Sequence, residues 1–398
     1  MVISKRKIQV IFMTILMFHI NLVSISSPYL SDYFTIKLCM SLVLAFLLFL
    51  QIRTFLKKEY LLFNLVLLLF CISMVLSSFF NRNMSGSFML GGIIYSLGIL
   101  EAFLVVEYAD STNLQRVLKK TMYYLALFYV VITDVLMFTV GAHLPSGEDT
   151  LLVYFIGNKF NVAYLHIMWM VLYYATFYKK KQNQKILMLV HFIVVFAISR
   201  SLNSGTSTIA CVILLLFFLF RNKIGRIMNN SITYLLSIGI FDTILLIGSA
   251  ILKIPAISYI IQNLLNKSSD LTGRLDIYTR IFIIMKDSPL WGVGNDNNYA
   301  YSLKYALAGN VQNGLFDIIV SFGIIGTVLM FVVLVLAIRK GKKRDNLAFK
   351  AYLFVLIVLS MVEVTFRLYF LVLLAMIAFG SEKVNQKSLH QHNLGVLK

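Results

Sequence analysis

Long apolar runs recur from one end of this 398-residue chain to the other. Many reach about 18 residues or more, which is enough for a helix to cross the roughly 30 Å hydrocarbon layer of a bilayer. Hydrophobic residues make up 59% of the chain and charged residues only 13%, values that water-soluble domains do not show. The sequence therefore predicts an all-α polytopic integral membrane protein with a single membrane domain, residues 1–398.

The runs predict 11 or 12 transmembrane helices, the lower number applying if the last two form one bent helix. The first run follows "SKRK" without a small-residue cleavage site, so it is expected to be retained rather than removed as a signal peptide. The predicted spans are residues 8–26, 34–52, 61–80, 88–107, 121–141, 161–178, 185–199, 206–220, 232–252, 314–338, 350–364 and 366–380.

Basic residues predict the orientation of these spans. With the N-terminus in the cytoplasm, the cytoplasmic segments carry 25 of the 36 Lys and Arg residues, and the short external ends carry 5. Such an excess is typical of cytoplasmic loops, so a multi-pass protein of the plasma membrane is expected. Residues 253–313 then form one large external loop, and residues 381–398 form a cytoplasmic tail.

The net charge of +19 fits this topology without a nucleic-acid partner, because the excess lies beside the anionic inner leaflet. Membrane lipids are therefore the expected partners of the basic loops. The three cysteines lie inside predicted spans, and neither they nor the six histidines show ligand spacing. No metal site and no cofactor are expected.

The external loop contains a segment, residues 271–287, with the periodicity of an amphipathic helix. This segment is too short and too polar to span, so it is expected to lie along the membrane surface. Arg274 lies near its start, and Arg280 is either an ordinary interfacial cation paired with Asp276 or part of a binding site. The predicted apolar face consists of Leu271, Leu275, Tyr278, Phe282 and Met285.

Further polar residues cluster at the external ends of the spans. Arg200 lies in the turn of "FAISRSLNSGTSTIA", beside the outward N-terminus of span 206–220. A cation beside free backbone N–H groups makes an anion site, although an arginine reaching toward water over a capped helix would give the same pattern. Asn161 is a further polar residue, at the external start of span 161–178.

The entrance of span 314–338 is also polar. Gln312 and Asn313 stand at its outward end, with Asp317 one turn further in. A polar helix entrance is also an ordinary cap, so this pattern alone is weak.

Four ionisable residues inside predicted spans are notable, because charges there are costly and often functional. They are Glu101, Asp134, Glu363 and Arg367. The last two are four residues apart, so they form either a structural i,i+4 pair or, in the alternative, Arg367 is a third cation facing an outer cavity.

Together these features place arginines, amide side chains and helix N-termini on one face of the membrane. Arginine grips phosphate oxygens with a planar fork of donors and keeps its charge at any physiological pH. The simplest ligand for such a site in a membrane enzyme is a lipid-linked phosphate or pyrophosphate.

At this point the chain resembles the bacterial O-antigen and capsular polysaccharide polymerases (Wzy-type), which are related to the O-antigen ligases. "SRS" at 199–201 looks like the arginine that this family carries at the outer end of a helix. "TGR" at 272–274 with "SPLWGVG" at 288–294 is similar to its S-G-R … P-x-x-G-x-G loop. "VQNGLFDIIVSFGIIG" at 311–326 is similar to its H-N-x-x-L … G-x-x-G segment. The resemblance covers about residues 150–340.

The resemblance implies a metal-independent glycosyltransferase that joins polyprenyl-pyrophosphate-linked repeat units on the outer face of the membrane. Arg200 and Arg274 would be catalytic, because they would hold the pyrophosphate as it leaves the anomeric carbon. Arg280, Gln312, Asn313, Asn161 and Arg367 would contact the lipid-linked oligosaccharide. A flippase and a chain-length regulator are the protein partners implied.

One position departs from the family pattern, since Gln312 stands where many members have a histidine. A glutamine amide does not take up a proton at neutral pH, so the base is left open among Asp296, Asp317 and Glu363. Two alternatives to a polymerase also stay open. They are a glycan ligase of the same fold and a flippase of lipid-linked oligosaccharide, although the internal repeats expected of a transporter are not seen.

Overall fold

The computed structural model describes residues 4–82, 90–142, 152–178, 182–244, 254–255, 259, 274–295, 297–307 and 309–382. Most of these residues are helical. The α-helices are α1 (Lys5–Leu22), α2 (Tyr33–Phe49), α3 (Ile52–Phe55), α4 (Lys58–Phe80), α5 (Leu90–Ser111), α6 (Gln115–Thr139), α7 (Lys159–Phe177), α8 (Gln182–Ser201), α9 (Gly205–Leu219), α10 (Arg221–Ile224), α11 (Ser231–Ile244), α12 (Arg274–Asp287), α13 (Asn298–Tyr301), α14 (Gly314–Lys340), α15 (Leu347–Ser360) and α16 (Leu368–Ala378).

Each predicted span coincides with a helix, which confirms the all-α polytopic membrane fold. The described part of the ninth span ends at Ile244, and the last two spans are separate helices, α15 and α16. In the described part of the chain, α4, α5, α6, α8 and α14 are long and apolar enough to cross a membrane. The apolar helices α2, α9, α11, α15 and α16 are shorter, at 10–17 residues.

A small hairpin adds to this helical plan at the end of the bundle that the basic-residue pattern assigns to the outside, called here the outer end. Strand β1 (Val153–Tyr154) pairs antiparallel with β2 (Gly157–Asn158). Ser26, in the turn between α1 and α2, donates its backbone N–H to Phe155 O at 2.9 Å and its hydroxyl to Tyr154 O at 2.6 Å. The hairpin thereby joins two outer turns that are far apart in the sequence.

Side-chain caps explain where several helices begin. Asn158 accepts from the first free N–H groups of α7, Ser204 from Ser207 N of α9, and Asn313 from Phe316 N of α14. All three caps lie at the outer end, where the chain re-enters the bundle. Each supplies an acceptor to a helix terminus that otherwise has unsatisfied donors.

Burial separates an inner set of helices from a peripheral set. Every residue from Phe370 to Ala378 in α16 is buried, as is every residue from Val162 to Tyr173 in α7. In contrast, α2 and α6 expose large apolar side chains, such as Phe46 at 62% and Phe138 at 67%. Exposed apolar bands of this kind fit contact with lipid rather than with water.

Helix α14 is broken at Gly323, which has φ 64° and ψ −168°. The break removes the bonds that Ile324 N and Ile325 N would make to the carbonyls of Val320 and Ser321. Segment 288–295, which follows α12, replaces all four partners, so we call it the re-entrant segment.

The replacement is a direct exchange of backbone partners. Val293 N donates to Val320 O at 2.8 Å, and Gly294 N donates to Ser321 O at 2.9 Å. Ile324 N donates to Pro289 O at 3.0 Å, and Ile325 N donates to Leu290 O at 3.2 Å. Backbone at membrane depth must be satisfied in this way, because lipid offers no hydrogen bonds.

Glycines allow this close approach. Gly292 has φ 71°, and a Cβ there would lie 2.5 Å from Gly323 N. A Cβ on Gly323 would in turn overlap the Leu290 carbonyl. The "GVG" motif therefore brings backbone against the broken helix α14, nine residues and about 13 Å below its start.

Polar groups at the end of α4 hold the re-entrant segment and α14 together. Ser77 Oγ donates to Ser321 O at 2.8 Å, and Asn81 Nδ2 donates to Gly292 O at 2.8 Å. Asn297 Nδ2 donates back to Asn81 O at 2.9 Å. The expected external loop thus partly enters the bundle, between α4 and α14.

Helix α12 packs on the outer half of α14, but its apolar face differs from the prediction. The buried side chains are Ile277, Tyr278, Ile281 and Ile284, whereas Phe282 is 55% exposed. The prediction placed Phe282 on the apolar face because it assumed that the helix contacts only one surface, that of the membrane. Leu271 lies outside the described residues, and the helix begins at Arg274.

We expect Gly323→Ala and Gly292→Ala to destabilise the protein. A side chain at either positive φ costs roughly 1–3 kcal/mol before the overlap with backbone is added. Thermal unfolding of the purified protein in detergent, followed by tryptophan fluorescence, measures the effect.

The matched control is Gly239→Ala in α11, where a Cβ would meet nothing within 4 Å. This change should leave the melting temperature unchanged or raise it slightly, since alanine is favoured over glycine in a helix by about 1 kcal/mol. Equal melting temperatures for all three variants would contradict the described contact between the re-entrant segment and α14.

Candidate functional site

A buried ion pair joins the start of α16 to the outer half of α14. Arg367 Nε lies 2.7 Å from Asp317 Oδ2, and Arg367 Nη2 donates to Asp317 Oδ1 at 2.7 Å. Arg367 Nη1 also donates to Asn295 Oδ1 of the re-entrant segment at 2.9 Å. The Asp317 side chain is fully buried, whereas that of Arg367 remains 30% exposed. A two-point contact of this kind is a strong, directional form of ion pair.

Amide and hydroxyl groups complete the surroundings of Asp317. Asn298 Nδ2 donates to Asp317 Oδ1 at 2.9 Å and to Ser321 Oγ at 2.6 Å. Ser302 Oγ donates to Asn298 Oδ1 at 3.0 Å, which fixes the orientation of that amide. The carboxylate is therefore held by two separate parts of the chain, the start of α16 and α13.

This pair revises two sequence-based interpretations. Residues 361–367 are not helical, so Glu363 and Arg367 lack the i,i+4 geometry, and the carboxylate that grips Arg367 is Asp317. Asp317 was also a candidate base. Its burial and its bonds to the guanidinium fit a group that positions Arg367 rather than one that meets a substrate hydroxyl.

A second set of contacts assembles α12, the entrance of α14 and the segment after α15. The Tyr278 hydroxyl lies 3.0 Å from Gln312 O and 3.0 Å from Met361 O. Gln312 has φ 49°, a left-handed conformation, and its side chain is half-buried. Among the described residues, none forms a hydrogen bond with the side-chain amide of Gln312.

Asn313 differs from its neighbour, since it is fully buried. Its Oδ1 caps α14, and its Nδ2 donates to Asp242 O at 3.2 Å and to Met361 O at 3.3 Å. These bonds use both ends of the amide. The geometry is that of a residue that fixes the entrance of α14.

Asp242 is a buried carboxylate that the sequence analysis missed. Its Oδ1 lies 3.4 Å from Leu315 N at the start of α14, and its Oδ2 accepts from Ser360 Oγ at 2.9 Å. A carboxylate beside a helix N-terminus is stabilised by the partial positive charge there. A single acid within the apolar run "SIGIFDTILL" was the signal that could have found it.

Arg200 lies in the last turn of α8, where a cation favours the helix terminus. Asn203 adopts φ 48° in the turn that follows, and Ser204 then caps α9. The Arg200 side chain is exposed, and no described residue forms a hydrogen bond or an ion pair with it. Because α9 packs along α15, this turn lies on the same outer face as segment 361–367.

The remaining predicted residues are placed to different extents. Arg274 is the first residue of α12, but its side chain lies outside the described residues, as does all of Asp296. Arg280 is half-buried in the middle of α12, and Asn161 is half-buried in the first turn of α7. Glu363 is 9% exposed, two residues beyond the contact of Met361 with Tyr278.

Most of the candidate residues thus lie around the outer half of α14. Gln312 and the segment that holds Glu363 lie beside α12. The Arg367–Asp317 pair lies beside the re-entrant segment, whose Val293 packs in the same apolar cluster as Ile277 and Tyr278 of α12. Among the described residues, no group of three or more His, Cys, Asp or Glu side chains could hold a metal ion.

We expect Arg367→Gln to destabilise the protein strongly, because it leaves the Asp317 carboxylate buried without its counterion. Removing one partner of a buried pair costs about 3–5 kcal/mol. Adding Asp317→Asn to the same protein should restore part of the stability, and the melting temperature in detergent measures both effects.

Arg339→Gln is the matched control, since Arg339 is exposed in the last turn of α14. Its melting temperature should stay close to that of the unchanged protein. If Arg367→Gln behaves like Arg339→Gln, the buried pair does not stabilise the fold.

A family model described as O-antigen ligase matches residues 150–331 of the chain. The match begins at the hairpin and ends within α14, so it includes the turn with Arg200, all of α12, the re-entrant segment and Gln312. It confirms the resemblance noted from the motifs. No curated protein was found to match the sequence.

Members of this family are membrane enzymes that act on lipid-linked glycans, with a role in polysaccharide assembly. The matched residues include much of the polar outer end of the bundle, although Arg367 and Asn81 lie outside them. Over residues 150–331, this multi-pass membrane protein is similar to the O-antigen ligase family.

Proposed function

We propose that the protein is a polymerase of surface polysaccharide. It would transfer a glycan from a polyprenyl-pyrophosphate carrier to a sugar hydroxyl of another lipid-linked repeat unit, on the outer face of the plasma membrane. The observation that carries this proposal is the family match over residues 150–331, which spans the outer arginines and the re-entrant segment together. A cytoplasmic N-terminus follows from the basic-residue pattern and is part of the proposal.

Arg200 and Arg274 are proposed to bind the departing pyrophosphate, with Arg280 beside them. The exposed side chain of Arg200, which no described residue engages, supports this role because its charge is available to a ligand. Fixed cations aimed at developing negative charge are typically a large term in catalysis. Sugar transfer of this kind would use charge stabilisation by the protein itself, so no cofactor is part of the proposal.

Gln312 is proposed to orient the acceptor hydroxyl, since its half-buried amide lies at the entrance of α14. Glu363 is the better supported base among the described candidates. It lies in the segment that Tyr278 joins to Gln312, whereas Asp317 is held by Arg367. Asn161, at the outer start of α7, would contact more distant parts of the glycan.

A ligase of the same fold is the second candidate, because the matching family model carries that description. The two functions differ in their acceptor, which is a growing lipid-linked glycan for the polymerase and a different cell-surface molecule for the ligase. The proposed protein partners are a flippase that supplies repeat units and a regulator of chain length.

Deletion of the gene separates these functions. A polymerase mutant should carry single repeat units on the cell surface and no ladder of longer chains on a glycan gel. A ligase mutant should accumulate long chains that remain on the lipid carrier. Repeat units trapped at the inner face would instead indicate a flippase, and they would overturn the proposal.

Arg200→Ala and Arg274→Ala should each abolish long polymer while the protein stays in the membrane. Loss of one group that stabilises transition-state charge costs about 10²–10³ in rate. Lysine should replace either arginine poorly if forked contacts to phosphate are needed. Glycan gels measure polymer, and immunoblots of membranes measure the protein.

Arg82→Ala is the matched control on the same predicted face. Arg82 donates to Phe79 O at 3.0 Å and stacks on the Phe79 ring, so its charge is already engaged. Normal polymer in this variant, together with its loss in the other two, is the expected pattern. Unchanged polymer in both Arg200→Ala and Arg274→Ala would contradict the site assignment.

A further inference from the structure

A cavity of about 230 Å³ lies between α1, α2 and α5, and the re-entrant segment and the start of α16 close one side of it. Most of its wall belongs to the first 100 residues, outside the part of the chain that matches the family model. The polar side chains in the wall are Asn21, Lys37, Ser41, Tyr95 and Asn295. Apolar side chains such as Phe34 and Leu38 cover much of the rest.

A buried acceptor without a partner lies at the bottom of this cavity. Asn21 is 3% exposed and donates from Nδ2 to Met17 O at 3.2 Å, which fixes the orientation of the amide. Its Oδ1 has no hydrogen-bond partner in the described part of the chain. An unsatisfied buried acceptor destabilises the structure, so a ligand that donates to it would be bound more tightly.

Glycine keeps the space in front of Asn21 open. A Cβ on Gly98 would lie 3.1 Å from Asn21 Oδ1, and Gly98 itself lines the cavity. Ser41 also lines the cavity, and its hydroxyl proton is donated to Glu101 Oε1 at 2.7 Å, so the Ser41 oxygen is left to accept. The deep part of the cavity therefore has two oxygen acceptors in its wall, Asn21 Oδ1 and Ser41 Oγ, that suit hydroxyl donors.

A single cation stands nearer the outer end. Lys37 Nζ donates to Val23 O at 2.9 Å and lies 5.5 Å from the centre of the Tyr33 ring. An ammonium carries three N–H donors, so it can also donate to a ligand oxygen. The cavity thus has acceptors at its deep end and a donor nearer the outer end of the bundle, with apolar surface between them.

The cavity is continuous with the ion-pair site. Asn295 lines the cavity and also accepts from Arg367 Nη1 at 2.9 Å. Tyr95 lines it as well, and its ring centre lies 5.9 Å from the Arg367 guanidinium carbon. An occupant would therefore lie against Asn295 and Tyr95, next to the Arg367–Asp317 pair.

These features select the class of ligand. An apolar chain would leave the Asn21 amide oxygen unsatisfied, and a phosphate placed deep in the cavity would bring acceptor oxygens against acceptors. A sugar has hydroxyl donors at its edge and apolar C–H faces, so it suits both surfaces. The volume is below the roughly 300–1,000 Å³ of pockets for drug-sized ligands, so it suits one sugar unit rather than a chain.

We infer that this cavity binds one sugar unit of a lipid-linked glycan, held by Asn21, Ser41 and Lys37. The assignment of that unit to the acceptor rests on the proposed polymerase function. Donor pyrophosphate would then lie near α12, and the acceptor sugar would lie between α1, α2 and α5. Sugar binding itself is independent of that function and is measured separately.

Cysteine labelling in the purified full-length protein tests the inference. Leu38→Cys is introduced with Cys39→Ala. Leu38 lines the cavity and is half-buried, so a thiol at this position can be reached from the cavity. Cys39 is replaced because it is exposed, whereas Cys71 and Cys211 are buried. The protein is placed in nanodiscs, and the rate at which maleimide reacts with the introduced thiol is measured. The probes are free monosaccharides released by acid hydrolysis of the host's surface polysaccharide, inorganic phosphate, and vesicles containing polyprenyl phosphate.

At least one monosaccharide should slow labelling several-fold, whereas inorganic phosphate and polyprenyl phosphate should not. Leu42→Cys in the same background is the control, since Leu42 lies one turn beyond Leu38 in α2, is 60% exposed and does not line the cavity. Its labelling should be unaffected by sugar. Protection by polyprenyl phosphate alone, or by none of the probes, would overturn the inference.

Asn21→Leu, added to the Leu38→Cys protein, separates binding from folding. It removes the unpaired acceptor at nearly constant size, so the melting temperature should stay the same or rise, and the protection of the introduced thiol by sugar should disappear. Protection that persists in Asn21→Leu would contradict the role given to Asn21. Because this assay does not require polymer, it can succeed when the gene deletion shows no polymerase phenotype, and it can fail when the deletion does.

Discussion

The structure depends on satisfying backbone hydrogen bonds where no water can supply them. Breaking α14 at Gly323 leaves two N–H and two C=O groups without their helical partners, and segment 288–295 supplies all four replacements. Both the close approach of Gly292 and the amide of Asn81 serve this exchange. Backbone hydrogen bonds therefore fix the polar outer end of the bundle, and side chains add to them.

Charge inside the bundle obeys a similar constraint. Arg367 and Asp317 neutralise each other at the outer end, and Arg344 and Asp110 do so elsewhere, with Arg344 Nη1 2.7 Å from Asp110 Oδ1. Arginines left without such a partner then stand out. Arg200 is one of these among the described residues, which is why it is kept in the proposed pyrophosphate site. The charge of Arg367, in contrast, is neutralised by Asp317.

Apolar runs and caps were sufficient to predict every spanning helix, since helix location depends on local sequence. The sequence also indicated that "GVG" lets backbone approach a neighbour, but it could not identify Gly323 as that neighbour. Partners such as Asp317 for Arg367 are set by tertiary contacts between segments 50 residues apart. Asp242 and the cavity beside Asn21 were missed for the same reason, because each is formed by helices distant in sequence.

The broken helix has a consequence for biosynthesis. Ser77, Asn81 and residues 289–294 all precede Gly323 in the chain, so each group that completes the interrupted backbone has already left the ribosome when α14 emerges. Helix α14 can therefore form these hydrogen bonds as it enters the membrane, because their partners in the re-entrant segment have already been synthesised. Arg367, which neutralises Asp317, arrives afterwards together with Ser360 and Met361, so the outer site closes as one of the last steps of membrane insertion.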